Sequence, residues 1–128
     1  MNVFLVEDSP LVCERLVEII ESGGVHRVVG RAATYEDAVK GIVSSGADVG
    51  IFDIKLARGN GIEAMTEAKR RLPGLVGIVM SNYATPQHVK ASADAGAAFF
   101  LDKSSDFERI PLILSTIAGA EPAPGAAG

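Results

Sequence analysis

The chain has 128 residues, enough for one domain whose core needs no disulfide or structural metal. Apolar residues make up 48% and charged residues 22%, the profile of a soluble globular protein, and no apolar run reaches the ~18 residues of a membrane span. Sixteen acids against twelve bases give a net charge of −4, which argues against direct nucleic-acid binding; Lys69–Arg70–Arg71 is the one tight basic cluster.

Short apolar runs alternate with longer amphipathic stretches along the chain. Asn2–Val6 reads as a buried strand, followed by a helix over Pro10–Ser22 that opens on a proline and stops at Gly23–Gly24. Cys13 stands alone among Leu11, Val12 and Leu16, so it forms no intrachain disulfide and reads as a small buried hydrophobe. His26–Ala33 is a second strand, and Thr34 caps a helix that runs to Ser45. Asp48–Asp53 is the third strand. Asn60 and Glu63 have capping-box spacing before a helix ending near Leu72, where Pro73–Gly74 breaks the chain. Val76–Met80 is strand four, and Thr85–Pro86 opens a helix to Ala95. Ala98–Leu101 is strand five. Ser105 and Glu108 form another capping-box pair before the last helix, which takes Pro111 into its first two turns. His26 and His88 read as surface residues. The N-terminus lacks the basic and apolar regions of a signal peptide, so the expected location is the cytoplasm.

Five β-α units in strict alternation predict an α/β, doubly wound parallel sheet with helices on both faces, and strands apolar throughout. The domain is expected over 1–118. Residues 119–128 (GAEPAPGAAG) have no apolar face and read as a flexible tail or the start of a linker.

In an open α/β sheet, ligands sit beyond the carboxyl ends of the strands, at the switch point of strand order. Strand one ends in Glu7–Asp8, strand three in Asp53, and strand four in Ser81. Asp102–Lys103 follow strand five, and nothing reactive follows strand two. With a strand order of 2-1-3-4-5, three carboxylates, a hydroxyl and an ammonium meet at one edge. Carboxylates so packed repel one another, and a hard divalent cation relieves that cost. Such a site suits phosphoryl transfer: a carboxylate nucleophile, with a cation and a lysine to neutralise the transferring oxygens. Each residue alone has a plain structural role. Asp8 could cap the next helix, Ser81 could satisfy local backbone, and Lys103 could be a solvated lysine. The joint pattern carries the weight.

The pieces FLVEDSP, IFDIKLARGNGIE, IVMSNYA and FFLDKSSD together resemble the receiver domain of two-component response regulators, the chemotaxis-type, flavodoxin-like (βα)5 fold. The resemblance implies that Asp53 accepts the phosphoryl group. It implies that Glu7, Asp8, Asp53 and the backbone carbonyl of Lys55 hold Mg²⁺ or Mn²⁺. Ser81 and Lys103 would then contact the phosphoryl group, Phe100 would be the aromatic switch, and Gly61 would be the loop glycine. Asn82 and Tyr83 fall beside Asp53, where they bear on access. Implied partners are a sensor histidine kinase or phosphotransfer protein upstream, and downstream a protein or output domain reading the surface of helix four, strand five and helix five. Departures are Ser81 for the more frequent threonine, Asn82 for a small residue, and Phe100 for tyrosine. Ser104 follows Lys103 where many members carry proline, which leaves a cis peptide there open. Two alternatives stand beside this reading. One is a receiver fragment of a DNA-binding regulator. The other is an aspartyl-phosphate phosphohydrolase, which wants a second acid two residues past the nucleophile, where this chain has Lys55.

Overall fold

Each capped amphipathic stretch becomes a helix and each apolar run a strand in the computed structural model, which describes residues 1–120. The order is β1 (Asn2–Val6), α1 (Pro10–Glu21), β2 (Arg27–Ala32), α2 (Tyr35–Ser45), β3 (Val49–Asp53), α3 (Gly61–Arg71), β4 (Val76–Ser81), α4 (Pro86–Asp94), β5 (Ala97–Asp102) and α5 (Ile110–Ala120), with a 3-10 turn at Phe107–Arg109. Caps explain most of the starts. The hydroxyls of Ser9, Thr34 and Thr85 accept from Val12, Asp37 and His88 N–H at 3.3, 3.2 and 3.2 Å. Asn60 Oδ1 accepts from both Ile62 and Glu63 N–H, at 2.7 and 3.3 Å.

The five strands are parallel in the order β2-β1-β3-β4-β5, as expected, so β1 and β3 are neighbours at the switch point. Their register sets Leu5 beside Ile51, and Ile51 beside Ile78. Alternation along each strand sends successive side chains to opposite faces and divides the core into two layers. On one face Leu5, Ile51, Ile78 and Leu101 pack with Leu16 and Ile20 of α1 and with Ile110 and Leu114 of α5. On the other, Phe4, Val6, Phe52 and Val79 pack with Ile42 of α2 and with Ala64 and Met65 of α3. Phe4 lies in a slot between Gly30 and Gly41, where an added Cβ at either glycine would meet its ring. Cys13 is buried, and burial pushes its thiol above the ordinary value.

Several expectations need correction. The strands are not apolar throughout: β2 and β5 are sheet edges, and exposed side chains interrupt both, whereas every residue of β3 is buried. The Val28 N–H donates at 2.9 Å to Glu21 Oε2 at the end of α1, so an acidic side chain occupies a backbone donor of edge strand β2. The Ser105–Glu108 box does not form. Ser105 Oγ instead contacts Asp106 Oδ1 at 3.5 Å, and the chain enters α5 through the 3-10 turn without a side-chain cap. His26 is buried rather than at the surface, its ring Nδ1 3.0 Å from the N-terminal amine and Nε2 3.3 Å from Ser115 Oγ on α5. Burial, and then the neighbouring ammonium, hold that imidazole below its usual pKa. The expected tail begins within α5, and residues 121–128 lie outside the described residues.

Candidate functional site

Parallel strands place their carboxyl ends at one edge, and the register β1–β3–β4–β5 gathers Glu7, Asp53, Ser81 and Lys103 there. Lys103 Nζ lies 2.8 Å from Glu7 Oε1 and 3.1 Å from Asp53 Oδ2. Glu7, Asp53 and Ser81 are buried, while Asp8 and Lys55 are exposed on the same cleft. One carboxylate oxygen from each of Glu7, Asp8 and Asp53 lies within 4.8 Å of the others.

Local structure fixes the strand ends that carry Asp53 and Lys103. Gly61 opens α3 directly against the end of β3. Its N–H donates to Ile54 O at 2.9 Å, and an added Cβ would collide with the main-chain carbonyl of Asp53. Lys103 sits within a turn in which Asp102 Oδ1 accepts from Ser104 N–H at 2.9 Å and from Ser104 Oγ at 2.6 Å. Those bonds hold the Asp102 carboxyl below the ordinary carboxylate value. The Lys103 N–H donates to Ser81 O at 3.0 Å, so one residue is bound to β4 by its backbone and to β1 and β3 by its side chain. No cis peptide occurs among the described residues, so Lys103–Ser104 is trans.

The electrostatics are those of a crowded, partly dry acidic corner. Burial, aided by the Asp53 carboxylate beside it, lifts Glu7 from 4.5 to about 8, with Lys103 pulling the other way. Burial alone would draw the Lys103 ammonium down, but Glu7 and Asp53 together outweigh it and hold it above the usual lysine value. Glu7 Oε2 is the one buried side-chain polar atom among the described residues with no hydrogen-bond partner. An orphaned carboxylate oxygen beside two more acids is a hard, all-oxygen donor set, which fits Mg²⁺ or Mn²⁺.

Asn82 and Tyr83, both exposed, line the cleft over Asp53. Ser81 Oγ accepts from the Tyr83 N–H at 2.9 Å and makes no hydrogen bond to Asp53 among the described residues. Phe100 stands apart from the cleft: it is half-buried on β5, packed against the core layer of α2 and α3, beside Val79 of β4. Three lining residues were not foreseen, Ser9, Val12 and Phe107. The Phe107 ring also carries the Arg15 guanidinium 5.8 Å from its centroid. Ser9 could have been found from its place before Pro10. Phe107 has no local signal, because the 3-10 turn brings it in.

This geometry has close counterparts. Residues 3–115 match the family model described as the response regulator receiver domain. The chain is 29% identical over 103 residues to the DNA-binding transcriptional activator DevR/DosR of Mycobacterium tuberculosis, covering 80% of this chain and 48% of that one. It is 34% identical over 107 residues to a protein-glutamate methylesterase/protein-glutamine glutaminase of Syntrophus aciditrophicus, covering 82% of this chain and 31% of that one. This chain therefore spans about half the length of the first relative, and less of the second. Among solved structures, a two-component response regulator of the LuxR family from Aurantimonas superposes with a TM-score of 0.84 at 26% identity, covering 98% of this chain and 91% of that one. The response regulator domain of Thermotoga maritima CheB gives 0.78 at 26% identity, covering 95% and 98%. Fold, strand order and sequence agree: the chain belongs to the response regulator receiver domains of two-component signal transduction.

Proposed function

We propose that Asp53 accepts a phosphoryl group from the phosphohistidine of a sensor histidine kinase or phosphotransfer protein. The resulting change is read on α4, β5 and α5 by a partner protein or output domain. The observation that carries this reading is the Lys103 ammonium, held 2.8 Å from Glu7 Oε1 and 3.1 Å from Asp53 Oδ2 at a corner with three acids. In the transfer, an Asp53 carboxylate oxygen forms the new O–P bond. The P–N bond to the donor imidazole breaks, and its electron pair stays on nitrogen. The Lys103 ammonium neutralises charge gathering on the phosphoryl oxygens. Glu7, Asp8, Asp53 and the backbone carbonyl of Lys55 would hold Mg²⁺ or Mn²⁺, which when bound supplies positive charge against both the acids and the phosphoryl oxygens.

Ser81 then turns its hydroxyl to a phosphoryl oxygen, Phe100 moves into the space that Ser81 leaves, and Asn82 and Tyr83 set the width of the approach. The chain acts as a signalling module, with slow loss of its own acyl phosphate the only turnover. The reading places it in the cytoplasm, in keeping with the absence of any helix among the described residues long and apolar enough to cross a membrane. Nothing favours a phosphohydrolase, since the position of its second acid is the exposed Lys55. The test is labelling by acetyl phosphate with Mg²⁺. Wild type takes up the phosphoryl group and Asp53→Asn does not; equal labelling of the two overturns the assignment.

A further inference from the structure

We infer that His88 is a positioning residue that latches the β4–α4 turn at rest and sets how readily Ser81 is released toward Asp53; this rests on the phospho-accepting reading of Asp53. His88 stands at the third position of α4, with its own N–H bonded to Thr85 Oγ1 at 3.2 Å. Its ring reaches back past the cap, with Nδ1 2.9 Å from Tyr83 O. A carbonyl oxygen only accepts, so Nδ1 carries the proton. The other main-chain group of Tyr83 is engaged as well, its N–H donating to Ser81 Oγ at 2.9 Å. Tyr83 is thereby held from both ends, by the hydroxyl that faces the site and by the imidazole on the helix. The residue is otherwise 68% exposed, so burial does little to hold it. Beyond His88, Ser92 Oγ donates to His88 O at 2.8 Å, and Ser92 is the buried residue of α4. A continuous hydrogen-bonded path therefore runs from Ser81 through Tyr83 and His88 into the helix.

The path has a direction of effect. When Ser81 turns to a phosphoryl oxygen, the Tyr83 N–H loses its acceptor. It can seek another only if the Asn82–Tyr83 peptide swings about the Tyr83 Cα, and the His88 bond to the Tyr83 carbonyl, in the next peptide along, restrains that residue against the movement. Removing the imidazole N–H should therefore loosen Tyr83 and make the switched state easier to reach. Asparagine at the same position restores the bond, because its side-chain amide N–H occupies nearly the place of Nδ1–H.

The test uses the full chain with Mg²⁺ and beryllofluoride, a phosphoryl mimic, and follows amide exchange by NMR. In His88→Ala, exchange of the Tyr83 N–H without beryllofluoride should speed up by about tenfold or more, and the beryllofluoride midpoint should fall several-fold. His88→Asn should return both toward wild type. Thr85→Ala, which loses the helix cap but keeps the imidazole, should leave the midpoint unchanged. The inference is overturned if His88→Ala matches wild type in exchange and midpoint, if His88→Asn fails to rescue, or if Thr85→Ala shifts the midpoint as His88→Ala does, since general fraying of α4 would then be the cause. If wild type itself binds no beryllofluoride, the reading of Asp53 fails instead, and Tyr83 exchange alone decides whether His88 holds the turn.

Discussion

Burial, with the Asp53 carboxylate beside it, lifts the pKa of Glu7 from 4.5 to about 8, so its carboxyl is mostly neutral near pH 7. Because the folded value is the higher one, Glu7 favours the folded state fully below about pH 4.5, and that contribution is lost as pH rises through about 8. In chelator, urea melts between pH 5 and 8.5 should show stability falling with pH, and Glu7→Gln should flatten the trend. Mg²⁺ binding requires the ionised form, so apparent Mg²⁺ affinity should increase from pH 6.5 to 9; affinity independent of pH would detach Glu7 from the cation. Lys103 faces the same corner from the other side. Lys103→Met removes the charge proposed to meet the phosphoryl oxygens, and the acetyl-phosphate labelling rate should drop on the order of 10²-fold. The identities of these residues were legible in the sequence because each follows an apolar run at a strand end. The turn that aims Lys103 was not read, although Asp102 and Ser104 carry it in the local sequence. The burial of His26 could not be read locally, since its partner Ser115 lies 89 residues away.

The elements differ in how closely sequence and structure agree. Those with a side-chain cap and a glycine or proline stop were legible to within a residue or two, as α2 shows with Thr34 before it and Gly46 after it in the left-handed conformation, at φ 63°. The sequence misleads at the start of α5, because S-x-x-E is also compatible with a 3-10 turn, and Asp106 is drawn instead to the Asp102 N–H at 2.8 Å. Helix α3 is the element on which the site depends most closely. Gly61→Ala would drive a methyl into the main-chain carbonyl of Asp53, where no flexible side chain can yield. It should cost about 2 kcal/mol or more in urea melts and should also slow labelling of Asp53. Asn60→Ala, which only loses the cap one residue earlier, should cost about 1 kcal/mol and spare the labelling rate.

At the scale of the whole molecule, the sheet order makes the site. Neither Glu7 nor Asp53 is near the other in sequence, and only the β1–β3 pairing sets them together, with Lys103 brought in by β5. Alternating β-α units made that order readable, whereas the exposure of β2 and β5 follows from their being edges. A ligand that binds the folded chain alone should stabilise it. Mg²⁺ with beryllofluoride at about 100 times the dissociation constant should add roughly 2.7 kcal/mol to the unfolding free energy of wild type. Asp53→Asn should show no beryllofluoride-dependent gain, and a matching gain in that variant would place the ligand elsewhere.

Helix α4 contributes one buried side chain to the interior, and that is a serine. Its outward positions therefore carry little folding information, and exchanges among them should shift stability by no more than about 0.5 kcal/mol. On the proposed reading, in which α4 belongs to the surface a partner reads, that helix can diverge while the acidic corner stays fixed, so a lineage can change who listens to the signal without relearning how to receive it.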